Sequence, residues 1–561
     1  MAQRDRQSYT SQDVYLDLSS TYRLEAIDTH SGMAASETAD KVGKWKTFES
    51  VDFTEDDIER YLDAYDSAPV NERLSEPTVE YTRLSIEQRA VLDICDQQLH
   101  NPNIHIRRVL VQGKAGGGKS AVIKSMRHKL SALGQPDCPI YEIPAPTGVA
   151  AVNVDGKTVH KSLRIPVRKS ARETDPMPPL EGAQLRHLQD DFKDISFIII
   201  DEYSMIGLRL FDKISQRLCE AKGKREPFGG CFVYLFGDIN QLAPVNDLAS
   251  YQAPMRDDDA DRGFDLLKSI QKYIILRTCY RQGEDQRFRR VLDEIAEGDV
   301  QRRSWELLMS RRIDINREEM QSFETAVRLY PTNDEANIYN ERRLDELKLP
   351  VAVIKAEHNN DTARKASSRD AKNLSSELRL SIGSRIMLRR NLCVRRGLVN
   401  GSLGTVRDII YRNQVCPPNL PYVLMVEFDN FTGPFMRENM FPLRPVTNKW
   451  WDESVYCSRK QFPVHLSYAL TIHKSQGLTL NKAVIDLGSG ELFAGMTYVA
   501  LSRVRSLNDL IIEKGFGESR LKNLEDIDER RTFLRRIEQY ASWADQSNQI
   551  SRTTMRSCMS S

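Results

Sequence analysis

Gly113-Lys-Ala-Gly-Gly-Gly-Lys-Ser120 is a full G-x-x-x-x-G-K-[ST] phosphate loop, and the reading of the whole chain starts from it. It lies between an apolar strand-like run, Ile106 to Gln112, and a helix-like run through Ile123, Met126 and Leu130. Strand, turn and helix form the context that such a loop requires. The glycines at 113, 116, 117 and 118 let successive N–H groups point inward at the α and β phosphates, and the helix N-terminus adds partial positive charge there. Gly113, Ala115, Gly116, Gly117 and Gly118 make the cradle, Lys119 reaches the β and γ phosphates, and Ser120 is placed to ligate Mg²⁺. A nucleoside triphosphatase is the expectation.

Working outward, Phe197-Ile-Ile-Ile-Asp-Glu202 is an apolar strand that ends in two carboxylates. Ligands in open α/β sheets sit at such C-terminal strand edges. Asp201 suits the Mg²⁺ shell, and Glu202 suits orienting and deprotonating an attacking water. The next strand runs into Leu235-Phe-Gly-Asp-Ile-Asn-Gln-Leu-Ala-Pro-Val245, where Gln241 either senses the γ phosphate or pairs with Asp238 to stabilise a turn. Strands are expected at Val109 to Gln112, Tyr141 to Ala145, Phe197 to Asp201, Val233 to Gly237 and Tyr273 to Leu276, alternating with helices. That alternation reads as an open parallel sheet. A second alternating region starts near Ala326 and resumes at Val464, and between them residues 377–462 read as all-β, with the turn Asn400-Gly401 and several prolines. The expected fold is α/β with two α/β domains, the first carrying the phosphate loop, and a small β-barrel inserted in the second.

With 561 residues, the chain has room for roughly three to four domains. Lys and Arg number 80 against 79 Asp and Glu, so any nucleic-acid affinity must come from a local groove, and a histone-like coat is disfavoured. Nine scattered cysteines without a C-x-x-C pair argue against a zinc site and a disulfide framework, and for a reducing compartment. No apolar run approaches the ~18 residues that span a bilayer. The N-terminus lacks the apolar core of a secretory signal and meets acidic residues early. The expectation is an intracellular protein, nuclear rather than mitochondrial, with no membrane partner.

Several further segments resemble the Pif (petite integration frequency) family of superfamily 1B DNA helicases, over roughly residues 81–515, and more distantly the RecD-like helicases. Leu84-Ser-Ile-Glu-Gln88 is similar to the family's adenine-reading segment, which implies that Gln88 contacts the base. Pro146-Thr-Gly-Val-Ala-Ala151 and Lys157-Thr-Val-His160 resemble segments used on single-stranded DNA, implying contacts from Thr147 and His160. Leu276-Arg-Thr-Cys-Tyr-Arg-Gln282 and Tyr498-Val-Ala-Leu-Ser-Arg-Val-Arg505 imply γ-phosphate arginines at Arg281 and Arg503, read as coming from the second domain. Ala469-Leu-Thr-Ile-His-Lys-Ser-Gln-Gly477 implies DNA coupling through His473, Lys474, Ser475 and Gln476. Val399-Asn-Gly-Ser402 resembles the barrel region, beside an arginine-rich run of Arg385, Arg389, Arg390, Arg395 and Arg396.

The resemblance implies two RecA-like domains and an ATP- and Mg²⁺-dependent 5′→3′ DNA helicase, monomeric, acting on single-stranded and on tailed or forked duplex DNA. Repair, recombination or telomere maintenance are roles that the family implies. The corresponding organisation is a polar, partly disordered region 1–80, a first domain 81–275 with a wedge insertion at about 164–193, and a second domain 276–376 and 463–520 interrupted by the barrel 377–462. A C-terminal helix and disordered tail follow at 521–561. Two departures stand out: Ala243 replaces the family's usual proline after Gln-Leu, and the wedge stretch is polar and proline-containing. Rival readings are a DNA-stimulated ATPase that remodels protein–DNA complexes, the helicase part of a Helitron-type transposon protein, and a phosphate-loop kinase or GTPase.

Overall fold

The structure is a computed structural model. It describes residues 45–66 and 80–542, apart from 102, 134–138, 148–149, 152–153, 155, 167–176, 255–256, 369, 372–373, 391, 394–395, 399, 430, 453–454 and 523–525.

Five parallel strands build the first domain in the order Tyr141–Glu142, Phe197–Ile200, Phe232–Gly237, Arg108–Gly113, Lys272–Leu276. The central ones are unbroken apolar runs because a parallel sheet is covered on both faces. The pleat divides them: Val109, Val111, Ile199 and Phe236 enter one core with the helices Ile86–His100 and Lys119–Ser131. Leu110, Ile198, Ile200 and Leu235 enter the other with the helix Leu208–Lys222. The expected wedge stretch contains the helix Gly182–Phe192, which buries Leu188 and Phe192 in that second core, while 167–176 lie outside the described residues.

The second domain has a four-stranded parallel sheet, ordered Ala469–Thr471, Val327–Tyr330, Ala483–Ile485, Leu510–Ile512. The helix Gln286–Glu297 packs Phe288, Val291 and Leu292 into its core. A helix over 527–542 then returns to the first domain, where Phe533 and Ile537 join the core and Tyr540 stacks on Tyr273 at 5.2 Å. Residues 1–44 and 67–79, within the region read as partly disordered from sequence, and the tail beyond 542 lie outside the described residues.

The small barrel expected over residues 377–462 is not confirmed, and the described strands there form an antiparallel sheet. Its order is Phe441–Leu443, Val423–Phe428, Leu403–Tyr411, Arg385–Leu388, Val464–Leu466. Among the described residues no pairing joins its two outer strands. Each outer strand has three residues, and Leu403–Tyr411 bends at a bulge between Val406 and Asp408. The polar N-terminal region supplies part of the cover. Lys46–Thr47 pairs in parallel with Ile410 and Tyr411, and the helix Glu55–Asp66 buries Ile58 completely against the sheet. Beside it, Val446–Asp452 and Val455–Gln461 form a hairpin that also pairs with Glu357–His358. No helix among the described residues is long and apolar enough to cross a membrane.

The packing of helix Asp258–Lys268 on Leu208–Lys222 depends on Gly263, where an added Cβ would lie 1.9 Å from the Leu208 carbonyl oxygen. Gly263→Ala gains up to ~1 kcal/mol of helix propensity. It is nonetheless expected to destabilise the first domain by about 1–3 kcal/mol through overpacking, read as a lower urea midpoint.

Candidate active site

The loop 113–118 leaves the Arg108–Gly113 strand and delivers the chain to a helix that starts at Lys119. Gly116 and Gly118 have φ of +76° and +79°, and both are crowded. A Cβ on Gly116 would lie 2.5 Å from Arg281 Cβ, and one on Gly118 would lie 2.4 Å from Gln88 Nε2. Only glycine satisfies the backbone and the neighbours together. Lys119 is buried, and its Nζ donates to the Gly113 carbonyl at 2.7 Å.

Gln88 stands under this loop with both ends of its amide engaged. Oε1 accepts from Ser85 N (2.9 Å) and from the Tyr280 hydroxyl (3.0 Å), and Nε2 donates to Gly118 O (3.4 Å). In this arrangement it braces the loop and the Ser85 helix cap.

Asp201 and Glu202 follow the Phe197–Ile200 strand, both buried. Glu202 takes the left-handed conformation at φ +51°, a strained position for a residue with a side chain, and its N–H donates to Asp201 Oδ1 at 2.9 Å. Burial, and then the Glu202 charge, push the Asp201 carboxyl well above the usual carboxylate range. Glu202 Oε2, Asn240 Oδ1 and Gln241 Oε1 are buried acceptors without hydrogen-bond partners. Glu202 and Gln241 line the same cleft as Ser120, and such an oxygen-rich lining fits a hydrated Mg²⁺. Gln241 Nε2 donates to Asp238 Oδ2 at 3.2 Å, so the turn pairing read from sequence is present while its oxygen stays unused.

The second domain closes the cleft. Arg503 is fully buried, donating to the carbonyls of Val499 (2.7 Å) and Ser475 (3.2 Å); burial and the Arg281 charge push it down to about 9. The expectation that Arg281 comes from the second domain is corrected by its placement. It follows the last strand of the first sheet, where Tyr280 N donates to Gly116 O at 2.9 Å, yet its guanidinium donates to Ser502 O of the second domain at 2.9 Å. The segment is the crossover between domains, and Arg281 is bonded across it. Gly116 to Ser120, Glu202, Gln241, Arg281 and Arg503 line one cleft of about 600 Å³.

Sequence reasoning gave no role to Tyr498 beyond its place in a motif. Its hydroxyl accepts from Ala115 N–H of the phosphate loop and donates to Asp238 Oδ2, both at 3.3 Å. Asp238 also accepts from Gln112 Nε2 (3.2 Å), and Gln112 Oε1 accepts from the Tyr203 hydroxyl (3.0 Å). A single tyrosine of the second domain thus joins loop and sheet edge of the first.

The residues expected to contact DNA fall into two groups. On the first domain, Thr147 Oγ1 accepts from Ala150 N–H at 3.1 Å, and His160 lies in the short helix Val159–Ser162. On the second, the His473 ring meets Phe493 edge-on at 4.5 Å, with burial pushing its pKa down to about 4. Lys474 Nζ donates to Asn333 Oδ1 at 3.0 Å. Ser475 is buried on Ile472 O (2.7 Å) and shapes the turn, and Gln476 is buried with neither amide atom bonded. In the arginine run, Arg385 is held by Asp429 at 2.8 and 2.6 Å, Arg389 donates to His465, and Arg395 lies outside the described residues.

Two parallel sheets that share one cleft, with a β-rich insertion in the second, define a tandem RecA-like fold. The family model for PIF1-like helicases matches residues 83–304, and that for the DNA helicase Pif1 2B domain matches residues 367–409. The chain is similar to PIF1-like helicases over these residues. It is 33% identical over 432 residues to the ATP-dependent DNA helicase PIF1 of Xenopus laevis, covering 76% of this chain and 61% of that protein. It thus spans about 60% of the length of the vertebrate relatives it matches. Its fold matches the crystal structure of the Pif1 helicase from Candida albicans with a TM-score of 0.61 at 25% identity, over 80% of this chain and 98% of that one. The Bacteroides Pif1 helicase in complex with ADP-AlF3 and ssDNA shares the fold at a TM-score of 0.56 and 23% identity, over 80% and 97% of the two chains.

Tyr498→Phe removes the hydroxyl that joins the domains and leaves Asp238 buried with one partner fewer. A cost of about 1–3 kcal/mol to closure is expected, read as a roughly tenfold fall in the rate of ATP hydrolysis at saturating ATP.

Proposed function

We propose that this chain is an ATP-dependent DNA helicase that couples ATP hydrolysis between its two RecA-like domains to 5′→3′ translocation on single-stranded DNA and to duplex unwinding. The observation that carries the reading is the shared cleft, in which the phosphate loop and Glu202 of one domain face Arg503 of the other.

The chemistry follows from that arrangement. The loop N–H groups and Lys119 bind the phosphates, and Glu202 orients the attacking water and takes its proton. Arg281 and Arg503 set positive charge against the γ-phosphoryl oxygens, a contribution of about 10³ or more in rate when both are in place. Mg²⁺, when bound by Ser120 and Asp201, neutralises phosphate charge. Because Arg281 and Gln282 are bonded to Ser502 of the second domain, and Tyr498 to the loop of the first, hydrolysis and phosphate release change the contacts that hold the domains together. Thr147 and His160 on one domain and Arg389, His473 and Lys474 on the other then alternate their grip on the strand, holding phosphates and bases without reading sequence.

The test is strand displacement with ATP and Mg²⁺ on duplexes that carry a 5′ or a 3′ single-stranded tail, beside Lys119→Ala. Release from the 5′-tailed duplex alone, abolished by the substitution, is expected. DNA-stimulated ATP hydrolysis with no release from either duplex would replace the helicase by a remodelling motor.

A further inference from the structure

The strand Val464–Leu466 carries the chain out of the inserted sheet and back to the second RecA-like domain. On it, His465 stands opposite Met387, and the neighbouring Arg389 donates its backbone N–H to Pro463 O at 2.7 Å. The Arg389 guanidinium reaches His465 Nε2 at 3.3 Å. A guanidinium only donates, so Nε2 is the acceptor and the ring proton is on Nδ1, which donates to Leu466 O at 2.6 Å. Burial, and then the charge of Arg389, push the His465 pKa down to about 3, so the ring stays neutral.

The neighbouring arginines are treated differently. Arg385 meets Asp429, Arg407 meets Glu427 and Arg444 meets Glu59, each a carboxylate that cancels its charge. Arg389 is held by a neutral acceptor, and so is Lys474, by the Asn333 amide. These two cations are close enough that Arg389, after burial, lowers the Lys474 pKa. Among the described residues neither has a carboxylate within ion-pair distance. Two like charges brought together, each oriented and neither neutralised, make a site for an anion, and on a nucleic-acid motor that anion is a backbone phosphate.

We infer that His465, four residues before the Ala469 to Gly477 segment, is a positioning residue that aims the Arg389 guanidinium at a nucleic-acid phosphate while leaving its charge intact. The inference rests on the proposed function. A carboxylate at this position would hold Arg389 more firmly and remove its usefulness.

The test measures binding of a fluorescent oligothymidylate to the full chain across a salt series, for the unsubstituted protein, His465→Gln, His465→Glu and Arg389→Ala. Glutamine keeps a neutral acceptor and should stay within about twofold of the unsubstituted affinity. His465→Glu and Arg389→Ala should each weaken binding roughly tenfold and lower the log–log salt slope by about 0.7, the loss of one phosphate contact. The double substitution should bind no more weakly than Arg389→Ala. Should His465→Glu fail to fold, His465→Leu removes the acceptor alone, and weaker binding is again expected. An unchanged salt slope in His465→Glu beside a weakened Arg389→Ala overturns the inference, as does unchanged binding by Arg389→Ala. Failure of the unsubstituted chain to bind the oligonucleotide overturns the proposed function itself, and the inference with it.

Discussion

At Gly116 and Gly118 the backbone must turn through positive φ while Arg281, Tyr280 and Gln88 press against it, and no side chain fits there. That crowding ties four pieces of the molecule together. The helix that starts after Ser85 contributes Gln88, the crossover after the last strand of the first sheet contributes Tyr280 and Arg281, and the second domain reaches the loop through Tyr498 and Arg281 through Ser502. Any shift of the loop therefore acts on the interdomain contacts directly.

The cleft also concentrates charge at low dielectric. Asp201 is raised by burial and by Glu202, while Arg281 and Arg503 are lowered chiefly by burial. Each ionised group is held there at a desolvation cost that only an opposite charge in the cleft can offset. The left-handed Glu202 and the unbonded acceptor oxygens beside it belong to the same pattern, in which local strain and unmet hydrogen bonds gather where a substrate completes them.

Around this centre two segments outside the parallel sheets act as straps. Residues 45–66 dock on the inserted sheet through Ile58 and through ion pairs from Glu55 and Glu59 to Arg412 and Arg444. The helix over 527–542 crosses from the second domain to the first and packs Phe533 and Ile537 there. The apolar contacts fix these segments, since exposed ion pairs contribute about 0–1 kcal/mol each.

The sequence by itself determined the nucleotide machinery of the first domain. Glycine turn chemistry, a four-residue apolar strand ending in two carboxylates, and unbroken apolar runs are local signals, and the strands lie where those runs do. The second parallel sheet and an inserted β region were legible for the same reason, but closure was not, because alternation marks strands and says nothing of how the outer ones pair. Only the tertiary structure decided which polar groups meet. Arg385 and Arg389 look alike in the sequence, yet one is cancelled by Asp429 and the other is aimed by His465. Arg281 proved to belong to the crossover, Gln88 is occupied by Tyr280 and Gly118, and Tyr498 bridges the domains across 383 positions to Ala115. Such pairings join residues far apart in the chain, and no periodicity or short spacing records them, because they are set by the packing of whole elements.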